Sequence, residues 1–104
     1  MNKNKKYIGE VDNAQIQLWK DQHTDVFSVS VEDSVCYLKK PDRKTFKAIA
    51  SVAQSDPIRG NEILLENCWL GGDESIKTDD EKFFAVSAQL AKIIEIKQSD
   101  LKKL

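Results

Sequence analysis

Val26-Phe27-Ser28-Val29-Ser30-Val31 alternates with period two and is rich in β-branched and aromatic residues, which predicts a strand. Phe27, Val29 and Val31 fall on one face, Ser28 and Ser30 on the other. Glu32-Asp33-Ser34 is a polar break of hairpin length, and Val35-Cys36-Tyr37-Leu38 reads as the return strand. A lone two-stranded hairpin is marginal in water, so helices must cover one face. Upstream, Ala14 with Leu18 and Ile16 with Trp19 stand four and three apart. They predict a short helix from 11 to about 20, with Asp12 as its cap. Downstream, Pro41 ends the return strand, because it cannot donate to a ladder and disfavours helix at Lys40. Asp42 is placed to cap a helix whose face is Phe46, Ile49, Ala50 and Ala53. Ser55-Asp56-Pro57 stops that helix and starts another, with Asp56 at the N-cap and Pro57 first in the helix. The new helix carries Ile58, Leu64, Leu65, Cys68 and Trp69, and Gly71 suits its C′ position. Residues 73–77 read as a loop into which Ile76 can tuck. Thr78 and Glu81 fit a capping box opening the longest helix, which Phe83, Val86, Leu90, Ile93 and Ile94 carry to about Lys97. Ser99-Asp100 reads as a restart into a short turn through Leu104.

The expected fold class is therefore α+β: a small single domain over 11–104, an antiparallel β-hairpin packed against about four α-helices. Residues 1–10, polar and lysine-rich, are expected to form a flexible N-terminal tail.

Composition narrows the function more than the fold. The 104 residues carry 16 basic and 17 acidic side chains, a net charge of −1. A general nucleic-acid binder needs a surplus of Lys and Arg to displace counterions, so nucleic acid is not the expected partner. No apolar run approaches the length of a membrane span, and no apolar stretch follows the basic start as in a secretory signal. A cytoplasmic protein is expected, with Cys36 and Cys68 reduced and buried as packing residues.

Candidate chemistry is sparse. His23 is the one histidine and reads as an exposed helix-end residue. Neither CxxC nor HxxxH spacing occurs, so no metal or cofactor is expected. Gly71-Gly72 lacks the further glycines and lysine of a phosphate-cradling loop. The acids Asp73, Glu74, Asp79, Asp80 and Glu81 lack the alternating ligands of a calcium loop and suit helix capping. No catalytic residues are expected, and the chain does not read as an enzyme. One local charge excess stands out: Lys39, Lys40, Arg43, Lys44 and Lys47, which fit a solvated face or an acidic protein partner. Trp69 reads as a core anchor, whereas Trp19 sits on a weak helix and suits a protein contact.

Two segments carry a resemblance. Tyr37-Leu38-Lys39-Lys40-Pro41-Asp42-Arg43 closes the hairpin and opens a helix, and Asn67-Cys68-Trp69-Leu70-Gly71-Gly72 closes the next helix. With the final long helix, they make residues 12–104 resemble the tail assembly chaperones of bacteriophages and prophages. The resemblance implies a small cytoplasmic protein of the bacterial host, absent from the mature virion. It would bind the tape measure protein, keep it soluble, and help tail tube subunits assemble around it. Long apolar stripes aggregate when exposed, and a removable helix-in-groove cover would prevent that. Within that reading, the expected contact surface is a groove near the hairpin and first helix with Trp19, Phe27 and Tyr37. Lys39, Lys40 and Arg43 would steer the approach. The resemblance assigns none of these positions. The competing expectation is a small phage-encoded regulatory or nucleic-acid-binding domain, since the helices between 42 and 69 superficially allow a helix-turn-helix. Those helices are long for that motif, and the second is poor in base-reading residues.

Overall fold

A computed structural model describes residues 7–23, 25–93 and 102–104. Three helices begin in the same way. In α1 (Asn13–Gln22), α2 (Arg43–Ala53) and α3 (Pro57–Cys68), an aspartate just before the helix accepts from the amide three residues on. The distances are 2.9 Å from Gln15 to Asp12, 2.8 Å from Thr45 to Asp42, and 3.0 Å from Arg59 to Asp56. Each cap satisfies a first-turn amide that the helix itself leaves unpaired.

Strands β1 (Val26–Val31) and β2 (Ser34–Lys39) form the expected hairpin, pairing Val31 with Ser34 through Val26 with Lys39. Glu32 holds a positive φ of 55° in the two-residue turn between them, as such tight turns require. The sheet has a third strand, however. Where the sequence suggested Gly71 at a helix C′, Trp69 turns extended directly after Cys68, and β3 (Trp69–Gly72) pairs antiparallel with β2. Strand order is β1-β2-β3. The glycine pair does not terminate a helix: Gly71 leaves room for the Trp19 ring, and Gly72 serves close backbone approach. Gly72 holds φ +135°, and a Cβ there would stand 2.5 Å from the Cys36 Cα.

Residues 7–10 depart from the expected tail. Ile8 makes a parallel bridge to Ser34, accepting from the Val35 amide at 3.0 Å and donating to Asp33 at 2.7 Å. β2 extends past the end of β3, and this segment takes up the backbone groups left over. Gly9 allows it, since a Cβ would stand 2.2 Å from the Asp73 amide nitrogen.

The loop expected over 73–77 contains a single-turn helix, α4 (Ser75–Thr78), with Ile76 fully buried. Because Thr78 ends α4, the capping role for α5 (Asp80–Ile93) moves to Asp79, which accepts from the Glu81 amide at 3.1 Å. The expectations for Ile94, Lys97 and Ser99-Asp100 lie outside the described residues, and residues 102–104 have no regular structure.

The core joins Val29, Cys36 and Leu38 of the sheet to Ile49, Leu64, Leu65 and Cys68 of the helical hairpin, and to Ile76, Phe83, Val86, Leu90 and Ile93. Residues 34–38 are all buried, because β2 is covered on both faces. α3 buries Leu64, Leu65 and Cys68 as expected, but each of the first three helices exposes apolar residues expected on its buried face. α1 turns Ile16 and Trp19 inward and leaves Ala14 and Leu18 exposed. α2 buries Ile49 and exposes Phe46 and Ala50; α3 exposes Ile58. α2 packs on α3 and makes little contact with any other element, so one narrow stripe suffices.

Candidate functional site

The densest polar cluster lies where the β1–β2 turn meets α4 and α5. Ser34 Oγ is fully buried, donates to Asp73 Oδ2 at 2.6 Å and accepts from Lys82 Nζ at 2.8 Å. Lys82 also donates to Ser75 Oγ at 3.2 Å and lies 3.6 Å from Asp73 Oδ2. The Ser75 amide donates to Asp73 Oδ1 at 3.0 Å. The hydrogen bond from Ser34, then that from the Ser75 amide and the Lys82 charge, hold the Asp73 carboxyl down at about 2. A lysine amine against a serine oxygen is the geometry of an activated nucleophile. Here the Ser34 proton points at a carboxylate and the oxygen is sealed from solvent, so the cluster ties the sheet to α4 and α5. Sequence reading missed it, because its members lie between 34 and 82 with no motif spacing.

The expected contact residues separate by sheet register. Trp19 and Tyr37 come together, with ring centroids 5.4 Å apart and planes tilted by 43°. The Trp19 ring also lies over Gly71, whose added Cβ would approach Trp19 Cη2 to 3.0 Å. The Tyr37 hydroxyl accepts from the Val11 amide at 3.4 Å. Phe27 pairs with Leu38 and therefore lies on the opposite face, packed against the core. The groove combining Trp19, Phe27 and Tyr37 does not form, and Tyr37 is buried. Trp69 is half-buried against the core, with Lys77 Nζ 4.3 Å from its ring centroid.

Lys39 and Lys40 do share a site. They line an open cleft of about 610 Å³ with Gln22, His23, Asp25, Pro41 and Asp42, between the end of α1 and the start of α2. His23, expected to be exposed, is a half-buried wall of this cleft. The Thr45 amide, then the Thr45 hydroxyl and after them the charges of Lys39 and Lys44, hold the Asp42 carboxyl below its usual range. Arg43 opens α2 just beyond, and with Lys44 and Lys47 borders a second, shallower depression. Phe46 stands among these cations with 38% of its surface exposed. The sequence signal for it was the absence of any acid from 43 through 53.

The two thiols are spent on packing. Burial pushes Cys36 up to about 12 and Cys68 up to about 11. Among the described residues no group of three or more His, Cys, Asp or Glu side chains could hold a metal ion, and no helix is long and apolar enough to cross a membrane. No protein-family model matches the chain, and no curated protein or solved structure matches it either.

Proposed function

We propose that this chain is a non-enzymatic, protein-binding chaperone of bacteriophage or prophage tail assembly, acting in the host cytoplasm and leaving before the virion is complete. In this reading it binds and solubilises the tape measure protein and helps recruit tail tube subunits. The resemblance of residues 12–104 supplies the class. The observation that supports protein recognition is the open cleft between α1 and α2, cationic through Lys39 and Lys40 yet interrupted by Asp25 and Asp42. A lining of mixed sign suits a protein surface, whereas a phosphate backbone favours cations alone.

The test is a pull-down of tagged chain from induced, phage-producing cells, read by mass spectrometry, beside a Lys39→Glu/Lys40→Glu/Arg43→Glu variant. Recovery of one very long, helix-rich protein by the wild type, and its loss with the triple variant, is the expected result. Equal recovery by both chains would remove the cleft from the reading. Recovery of nucleic acid instead would replace the reading with the regulatory one.

A further inference from the structure

In this nearly neutral chain the balance of charge differs between the two ends of β2. At the exit end stand Lys39 and Lys40, then Arg43, Lys44 and Lys47 on α2, with Asp25 and Asp42 the acids beside them. At the entry end stand Glu32 and Asp33 of the hairpin turn. Lys82 binds Ser34 there, which places the start of α5 and its exposed Asp79, Asp80 and Glu81 at the same end. Six strand residues hold the two ends roughly 17 Å apart. That exceeds the screening length of about 8 Å at physiological salt, so the two sets do not neutralise each other within one chain.

Each end also exposes an aromatic ring at helical spacing from its charges. On α2, Arg43, Phe46, Lys47 and Ala50 follow at i, i+3, i+4 and i+7, one face of the helix. Phe46 and Ala50 are both exposed on that face. On α5, Asp80 and Glu81 stand four and three residues before Phe84, which is 54% exposed.

We propose that the outer face of α2 docks the first turns of α5 from a second copy of this chain, head to tail. Phe46 packs beside the partner copy's α5 ring, and Arg43 and Lys47 meet its acids. The two surfaces differ, so the contact is heterologous: no twofold axis closes it, and association continues past the dimer as concentration rises. Each helix offers about two turns to the contact, so the affinity is low and salt-sensitive. The inference is independent of the tail-assembly reading, since it needs no partner beyond the chain itself.

Sedimentation velocity of the full chain tests it, from about 10 μM to about 1 mM, in about 20 mM and about 500 mM salt. At low salt the weight-average mass is expected to rise with concentration beyond a dimer, and at high salt to fall back to the monomer. Phe46→Ala weakens association about tenfold. Arg43→Glu/Lys47→Glu and Asp80→Lys/Glu81→Lys each abolish it alone, and an equimolar mixture of the two restores it, because each reversed face meets a complement. A wild type that stays monomeric throughout overturns the proposal and leaves the α2 face to an acidic helix of another protein. Association indifferent to Phe46→Ala and salt, or charge variants that fail to rescue each other, overturns it as well. A failed pull-down leaves this measurement unaffected, so the two readings fail separately.

Discussion

Strand β2 and helix α2 are neighbours in sequence and opposites in construction. Residues 34–38 are buried without exception, whereas α2 buries Ile49 alone among its eleven residues. β2 is flanked by two strands, covered by α1 on one face and by the helical core on the other. α2 leans on α3 and leaves Phe46 and three cations to solvent. The difference separates two kinds of constraint. Along β2, volume and backbone approach are fixed from every side. Along α2, one stripe keeps the helix in place and the remaining surface is free to be shaped by a partner.

That contrast can be broken in order of expected effect. Leu38→Ala, fully buried at the sheet centre, should cost about 4 kcal/mol of unfolding free energy in urea, and a loss below about 1 kcal/mol would deny β2 its central role. Gly72→Ala removes no contact yet should cost about 3 kcal/mol, through a strained φ and a Cβ set against the Cys36 backbone. If its urea midpoint equals that of the wild type, the β3 register described above is wrong.

Asp73→Asn sharpens the comparison through pH. The folded carboxyl sits at about 2, below the ordinary 3.8, so its contribution is fully present above about pH 4 and is lost as pH falls towards 2. The gap in urea midpoint between wild type and Asp73→Asn should therefore be widest at pH 5–7 and narrow steadily below pH 4. A gap that is flat or grows on acidification would mean that Ser34 and Lys82 do not stabilise the ionised form. The smallest effect belongs to α2: Phe46→Ala should change stability by less than about 0.5 kcal/mol by the same measurement, while weakening association.

Local chemistry in the sequence reached the structure most directly at the helix starts. Asp12, Asp42 and Asp56 cap as read, because an N-cap is decided within four residues. The α+β class and the hairpin were legible for the same reason, since alternation acts locally, although Ser34, read as part of the turn, opens β2 and pairs with Val31. What depended on distant neighbours was not legible. β3 is four residues with two glycines, and it becomes a strand only because β2 presents a free edge to it. Phe46 and Ile58 look like core by periodicity, but which stripe is buried is set by the elements each helix packs against: α3 for α2, and α2, α5 and the sheet for α3. Of the candidate contact residues, Lys39 and Lys40 shared a site because they are adjacent in the chain. Phe27 and Tyr37 parted because alternation places odd and even pairs on opposite sides.

The direct passage from α3 into β3 has a mechanical consequence. Cys68 is the last residue of the helix and Trp69 the first of the strand, so no slack separates them. Sliding α3 along its axis would have to slide β3 along β2. A slip of one residue would put a side chain where Gly72 meets the Cys36 backbone. The helical hairpin is thus a handle without a hinge: a displacement of α3 carries β3 with it and disturbs the β3 register on β2.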